Sequence, residues 1–471
     1  MTETRSDPGW FPILEGVDGP IYRAIADAIG QAVAQGVLRP GSRLPTHRAL
    51  ADALGVDLTT VTRAYAEARR RGLLQATVGR GTFIRAPSDA VPPPAPPDGP
   101  VDLSMNLPPL PDHPSLPALI QQGLTQLLSE PGTAAVLSYR PGAGSPAERA
   151  AAAAWLSPTL GLVDPDRILV CPGAQPALLT ALRTLTEPGD GVVTDRLAYP
   201  GLRGAASLAG VRLTGLPGDA EGLLPDALDE ACRTLRPKLL CCTPTIHNPT
   251  TATLPLERRR AIATIARRHG LAILEDDAYG LLPATPLPAL AALAPELCHH
   301  VATTSKVLSP ALRVAYLVAP DAAAAIRLSA ALRATVLMAP PLLTGLVTRW
   351  IRDGTAAAIL ASIRDENIAR QRIAQSVLPP GGFDAHPAGL HVWLRLPPPW
   401  DRRDFVAHLR RRDGLALVPS DAFAVEPGPA PPDAVRLALG AAPNQATLRS
   451  ALRSVAAALK GDAPAPFTDV V

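Results

Sequence analysis

Lys306 is one of three lysines in a chain of 471 residues whose other cations are 42 arginines. It follows "HVATTS", an apolar run closed by three hydroxyls, and precedes "VLSPALR", which ends in Arg313. An amine that can shed its proton and attack a carbonyl is open to lysine and effectively closed to arginine. Other polar residues stand just after further apolar runs. "RILVC" leads into Gly173, Ala174 and Gln175, "LLCCTPTIH" into Asn248, and "LAILE" into Asp276, Asp277 and Tyr279.

Singly, each group is an ordinary cap or ion pair; in this order they meet the needs of pyridoxal phosphate. The aldehyde of that cofactor requires a neutral amine, and Lys306 can form a Schiff base with it. Its phosphate requires hydroxyls, helix-end amides and a forked cation, which Thr303, Ser305, Ala174 and Arg313 can supply. The pyridine nitrogen stays protonated only opposite a carboxylate. For the ring oxygen, Asn248 and Tyr279 offer neutral donors.

These groups need a frame. "RILVCPG", "GVVTD", "LLCCTPT", "LAILEDD", "HVATTS" and "RVAYLVAP" are continuous apolar runs, as expected of strands covered on both faces. Helical patterns over 174–186, 255–268 and 321–336 fall between them. The alternation predicts an α/β domain with a parallel or mostly parallel sheet. Ligands of such sheets sit beyond the carboxyl ends of the strands, where the candidates cluster.

Over residues 102–460 the chain resembles fold-type I aminotransferases, with "SKxLxPxLRxAYLVAP" the most specific match. The resemblance implies that the domain binds pyridoxal phosphate as an aldimine on Lys306. It implies phosphate binding by Arg313 and Thr303, with Gly173, Ala174 and Gln175 completing the cup. Asp276 would pair with the pyridine nitrogen; the family's D-x-x-Y spacing favours it over Asp277, and the sequence leaves both open. Tyr279 and Asn248 would bond the ring oxygen, and Tyr199 of "LAYPGL" would stack on the ring. Arg436 of "AVRLALG" would clamp a substrate carboxylate. Tyr139 of "LSYRPGAG" would reach the phosphate of a neighbouring subunit, because such sites lie at a homodimer interface. Two departures are "NPTT" at 248–251 for the usual "NPTG", and "DRLAY" before the stacking tyrosine.

The N-terminal part differs in charge. Residues 1–85 hold eleven Arg and eight acids, and within 40–85 eight Arg face three acids, so residues 86–471 sum to zero. A local excess of this kind suits a polyanion. "IYRAIADAIGQAVAQG" carries apolar residues at 21, 25, 28, 29, 32 and 33, a helix face. "THRALADALG" reads as a short helix capped by Thr46 and stopped by Gly55; "DLTTVTRAYAEARRRG" follows with Asp57 as N-cap. "LLQATVGRGTFI" is a hairpin around Gly79-Arg80-Gly81. Together these form a winged helix–turn–helix with Leu58, Thr59, Thr60, Thr62 and Arg63 on the outer face of the second short helix. Residues 20–84 resemble the GntR DNA-binding domain through "PGxRLPxxRxLAxxLGVxxTTVxRAY". The candidate set facing double-stranded DNA is Arg43, Thr46, Arg48, Thr59, Thr60, Thr62, Arg63 and Arg80. Asp57-Leu58 stands where GntR members often carry a basic residue.

"PSDAVPPPAPPDGP", residues 87–100, is half proline and reads as a semi-rigid spacer. The expected organisation is a winged helix–turn–helix at 1–85, a linker at 86–101, an aminotransferase-like domain at 102–460 and a tail at 461–471. A smaller C-terminal α+β subdomain is expected over about residues 340–460. Joined in one chain, these parts resemble the MocR subfamily of GntR-type regulators. That resemblance implies a homodimeric transcription regulator that senses an amino compound or pyridoxal phosphate itself. The alternative is a working aminotransferase in which the DNA-binding domain is secondary. No metal site and no membrane-spanning run is expected. The five cysteines form neither a disulfide framework nor a metal spacing, and the expected setting is the cytoplasm.

Overall fold

The computed structural model describes residues 10–12, 20–34, 37–38, 41–70, 73–77, 81–84, 101–110, 115–129, 134, 136–140, 142–425 and 427–461. The chain divides into two compact units, one ending at Asp98 and the other starting at Gly99. Residues 86–100 of the expected linker, Arg80 at the wing tip and residues 462–471 of the expected tail lie outside the described residues.

The N-terminal unit contains α1 (Ile21–Ala34), α2 (His47–Leu54) and α3 (Leu58–Arg70), then β1 (Leu74–Thr77) paired antiparallel with β2 (Gly81–Ile84). Thr46 caps α2 by accepting the amide of Ala49 at 3.2 Å, and Gly55 ends it in the left-handed region, where a side chain would be strained. Asp57 Oδ1 accepts the Thr59 amide at 2.7 Å at the start of α3. Ile25, Ile29, Leu50, Val61, Tyr65 and Ile84 close one core. Ile21 is the exception on the expected apolar face, because the first turn of α1 projects beyond that core and leaves it exposed.

The larger unit is built on a seven-stranded sheet. Its strands are β3 (Ile168–Cys171), β4 (Gly191–Asp195), β5 (Arg212–Leu216), β8 (Leu239–Cys242), β9 (Ala272–Asp276), β10 (Cys298–Thr303) and β11 (Ala315–Val318). Between β5 and β8 a small hairpin pairs β6 (Gly218–Asp219) with β7 (Gly222–Leu223). The order is β3-β11-β10-β9-β8-β4-β5, and all neighbours pair parallel except β11, which runs antiparallel to both β3 and β10. Alternate residues feed two cores: Ile168, Val170, Leu240 and Ile273 enter one, while Leu169, Cys171, Leu239 and Leu274 enter the other. That two-sided burial explains the continuous apolar runs. The helices between strands run Ala174–Leu185, Leu256–His269 and Ala322–Val336, within a residue of expectation. β5 was not anticipated, because at the sheet edge its residues are partly exposed and its pattern is weak.

The C-terminal subdomain follows helices Pro341–Asp353 and Thr355–Val377. It holds the antiparallel sheet β12 (Phe383–Ala385), β13 (His391–Arg395), β15 (Ala434–Ala438) and β14 (Val418–Pro419), in that order, with helices Arg402–Asp413 and Gln445–Lys460 packed on it. The 23-residue helix Thr355–Val377 joins both bodies. Its Ile359 and Ile363 enter the large-sheet core, while Ile373 and Ala374 enter that of the subdomain. Residues 101–107 form a strap: Leu103 donates to Ala416 O at 2.9 Å and accepts from Ala438 N at 2.9 Å. Among the described residues no helix is long and apolar enough to cross a membrane.

Candidate functional site

Four strands running the same way bring their carboxyl ends to one edge, and a cavity of about 520 Å³ lies there. It is lined by Ala174, Gln175, Tyr199, Asn248, Asp276, Tyr279, Thr303, Ser305, Lys306, Arg313 and Arg436. Eleven of the expected cofactor and substrate groups, separated by up to 262 positions, therefore meet. Lys306 and Arg313 come from one loop. β10 and β11 are antiparallel neighbours with Thr303 opposite Ala315, so residues 304–314 make a hairpin excursion. Thr304 closes it, with its amide and hydroxyl both donating to Val314 O at 3.0 and 2.9 Å.

One end of the cavity suits a phosphate. The helix Ala174–Leu185 points its N-terminus there, after Gly173 with φ 102°. A Cβ on Gly173 would come within 2.5 Å of Arg313 Nη2, so glycine is what lets the guanidinium approach the helix end. Arg313 itself sits in the left-handed region at φ 49°. Thr303 Oγ1 donates to Ser305 Oγ at 3.1 Å and accepts the Ser305 amide at 3.2 Å. Gln175 is held by its Nε2, which donates to Gly201 O at 2.7 Å.

The cavity also holds a carboxylate, that of Asp276. Burial, then the neighbouring Asp277, push the Asp276 carboxyl up to about 7, against the pull of Lys306 and His300. Its Oδ1 is buried without a partner. A protonated ring nitrogen is the group that would satisfy it. Asp277 is also buried but does not line the cavity. Its surroundings are His300, Glu275, Arg259 and Thr245, on the far side of the strand end. The geometry thus separates the two carboxylates, with Asp276, which the D-x-x-Y spacing favours, at the cavity and Asp277 away from it.

Burial brings the Lys306 ammonium down to about 8, with Arg436 and Arg313 adding to the fall and Asp276 opposing it. Lys306 Nζ donates to the main-chain oxygen of Asn106 at 2.5 Å. Arg436, on β15, donates through Nη1 to Asn248 Oδ1 at 2.7 Å and through Nη2 to Ser104 O. Its guanidinium lies 5.1 Å from the Phe423 ring centroid, and its Nε is buried without a partner. Burial lowers its pKa too. Tyr199 stands at the N-terminus of helix Pro200–Ala209 with its ring at the cavity. Tyr139 is 79% exposed and lies outside its own cavity.

Ser104, Asn106, Thr243, Phe423 and His391 escaped the sequence reading, although the first four line the cavity and His391 bonds Asn106. "VDLSMNLP" has no periodicity and follows a proline run, so nothing local marks it as a cavity wall. The donor set, the orphaned carboxylate oxygen and the glycine cradle all fit pyridoxal phosphate. Among the described residues no group of His, Cys, Asp or Glu is arranged to hold a metal.

In the N-terminal unit, Arg43, Arg48, Thr59, Thr62 and Arg63 are exposed and Thr60 is half-buried. Leu58 heads α3 and is 44% exposed. Several candidates already have local duties. Thr46 caps α2, the Thr59 hydroxyl donates to Asp57 Oδ1 at 2.5 Å, and that of Thr62 donates to Leu58 O at 2.9 Å. The Arg63 guanidinium lies 4.3 Å from the Tyr22 ring centroid, a cation–π contact. Arg48 carries no such contact among the described residues.

Residues 98–455 match the aminotransferase class I and II family, and residues 21–84 match the gntR family of bacterial regulatory proteins. The HTH-type transcriptional regulator YdeF of Bacillus subtilis is 32% identical over 88% of this chain and 89% of its own. The HTH-type transcriptional regulator TauR of Rhodobacter capsulatus is 29% identical over 88% of this chain and 91% of its own. The α-aminoadipate aminotransferase LysN of Thermus thermophilus, solved with N-(5'-phosphopyridoxyl)-L-leucine, superposes with a TM-score of 0.69 at 26% identity. That match covers 84% of this chain and 98% of LysN.

Proposed function

The chain belongs to the aminotransferase class I and II family and carries a GntR domain ahead of it, and from that premise we propose a pyridoxal-phosphate-dependent transcription regulator of the MocR type. It binds operator DNA through α2 and α3 and senses an amino compound, or the cofactor itself, in the cavity. The observation that carries this reading is the coexistence, in one chain, of a winged helix–turn–helix and a cavity where Lys306, Asp276, Arg313 and Arg436 converge.

When bound, pyridoxal phosphate supplies an electron sink for bonds next to an amino group. Arg313, Thr303, Ser305 and the helix end at Ala174 hold its phosphate, and Asp276 faces its ring nitrogen. Asn248 and Tyr279 address the ring oxygen, and Tyr199 covers the ring. Lys306 offers an amine that burial brings down to about 8, so that a substantial neutral fraction exists at a pH where an exposed lysine is almost wholly charged. Arg436 takes the ligand carboxylate.

Sensing needs a contact that differs between states. Ser104 O accepts from Arg436 and Asn106 O from Lys306. A ligand that claims those two donors competes with the strap for them. The strap is the first stretch after residues 86–100, and it pairs with Ala416 and Ala438 of the C-terminal subdomain. Cavity occupancy therefore bears on both the subdomain and the root of the linker.

A second subunit belongs to this reading. Tyr139 and Leu137, two positions apart, are both exposed, which suits burial against a homodimeric partner whose phosphate Tyr139 would reach. Binding chromosomal DNA places the protein in the cytoplasm.

The test begins with DNA fragments selected from the genome of origin by the purified protein. Their affinity is then measured with and without pyridoxal phosphate and a panel of amino acids and amines. The compound that shifts the visible band of the bound cofactor should change DNA affinity by about fivefold or more. Retention of no fragment sinks the regulator. The second reading, an aminotransferase, is favoured by the joint presence of Lys306 and Arg436 in one cavity; turnover with a 2-oxo acid at about 1 s⁻¹ or faster would support it.

A further inference from the structure

Tyr279 is fully buried, and burial, outweighing the nearby Arg436, holds its phenol far above the usual value, so the hydroxyl keeps its proton. The useful question is where that proton points. The answer is set by a chain of hydrogen bonds that starts at a main-chain oxygen. His391 Nε2 lies 3.3 Å from His247 O, and a carbonyl can only accept. The imidazole therefore carries its proton on Nε2. Burial, with Arg436 beside it, brings His391 down to about 3, so the ring is neutral and Nδ1 has only a lone pair. Asn106 Nδ2 lies 3.1 Å from that Nδ1 and must donate to it. The same amide nitrogen lies 3.0 Å from the Tyr279 hydroxyl oxygen and gives its second proton there. Tyr279 accepts on that side, which leaves its own proton free to point elsewhere, and Tyr279 is one of the residues that line the cavity.

We propose that Asn106 and His391 are positioning residues that orient the Tyr279 hydroxyl as a donor to the ring oxygen of pyridoxal phosphate. The proposal rests on the cofactor assignment above and deepens it. The Tyr279 ring is also tilted against that of His391 at 6.1 Å between centroids, so the two are held as a unit. Lys306, Asp276, Arg436 and Tyr199 face the same space and set the background charge; Lys306 meets Asn106 only at its main-chain oxygen, apart from the side-chain amide that forms the relay.

A donor to the ring oxygen favours its ionised form, so losing it raises the apparent pKa of the bound chromophore. The experiment is a visible-absorption pH titration of the full chain loaded with pyridoxal phosphate. Tyr279→Phe removes the donor and should raise that pKa by about one pH unit. Asn106→Asp replaces the amide by an acceptor that draws the Tyr279 proton away, and it should raise the pKa similarly. In the double variant the two changes should not add. A carboxylate acting only through its charge would raise the pKa further in the Tyr279→Phe background, and that result overturns the relay, as does an unshifted Asn106→Asp. Should Asn106→Asp fail to fold, His391→Leu reads the relay from its other end. It frees the amide to turn, and it should give a smaller shift of the same sign that disappears in Tyr279→Phe. Absence of any cofactor band in the unaltered protein would refute the site assignment instead.

Discussion

Lys306 Nζ donates a 2.5 Å hydrogen bond to the main-chain oxygen of Asn106, 200 residues earlier in the chain. The bond joins the loop between β10 and β11 to the strap that leaves the linker. The lysine proposed as the nucleophile of the cavity is therefore also a fastening for the strap that follows the linker. The other fastening is Arg436, through Ser104 O.

Replacing Lys306 with Ala should abolish covalent attachment of pyridoxal phosphate while leaving the fold intact. Borohydride reduction followed by peptide mass mapping finds the adduct on Lys306 in the unaltered chain and nowhere in the variant. An adduct that persists elsewhere in the cavity would reassign the nucleophile. In the unaltered chain the attachment rate should rise with pH through about 8, because the neutral amine reacts and Lys306 sits near that value.

The two adjacent carboxylates should respond differently. Asp276→Asn removes the group facing the cavity and should weaken cofactor binding by about tenfold or more, roughly one hydrogen-bonded charge pair. Asp277→Asn should leave cofactor affinity near its original value. It should cost about 1–3 kcal/mol of stability, because Asp277 lies in the buried group with His300, Glu275 and Arg259 and its loss leaves buried polar partners unsatisfied. Equilibrium dialysis and denaturant unfolding distinguish these outcomes. A reversed pattern would move the ring-nitrogen role to Asp277.

Arg436→Ala should weaken amino-acid binding by about 30- to 100-fold, the loss of one buried bidentate contact, and change pyridoxal phosphate affinity far less. Titration of the loaded protein, followed by its visible band, gives both constants. Equal losses for cofactor and amino acid would make Arg436 a structural strut between Asn248 and Ser104 instead of a carboxylate clamp.

On the DNA side, Arg48→Ala should lower both affinity and the slope of log K against log salt by about 0.9, one phosphate contact. Arg63→Ala should behave otherwise. Its guanidinium is spent on the Tyr22 ring, so the substitution should cost stability, about 0.5–1 kcal/mol, with the salt slope unchanged. Affinity measured over a range of salt, with thermal melting of each variant, checks the pair. A lower slope for Arg63→Ala would return it to the DNA interface.

By itself the sequence determined the parts. Strands buried on both faces must be apolar throughout, so β3, β4, β8, β9, β10 and β11 stand out as runs, and groups at their ends could be picked out one by one. Caps are local as well: Thr46, Gly55 and Asp57 act on amides and carbonyls within a few residues of themselves. Tertiary structure decided what local pattern cannot encode. Asp276 and Asp277 have nearly the same neighbours in sequence, and pleating alone sends one to the cavity and the other to His300. Asn106 lies in a stretch with no periodicity and gains its meaning from Lys306, Tyr279 and His391, 173 to 285 positions away. The tautomer of His391 and the direction of the Tyr279 proton depend on the oxygen of His247, 144 positions from His391. Such contacts link distant segments through single polar atoms, and a single polar atom leaves no periodic trace in a sequence.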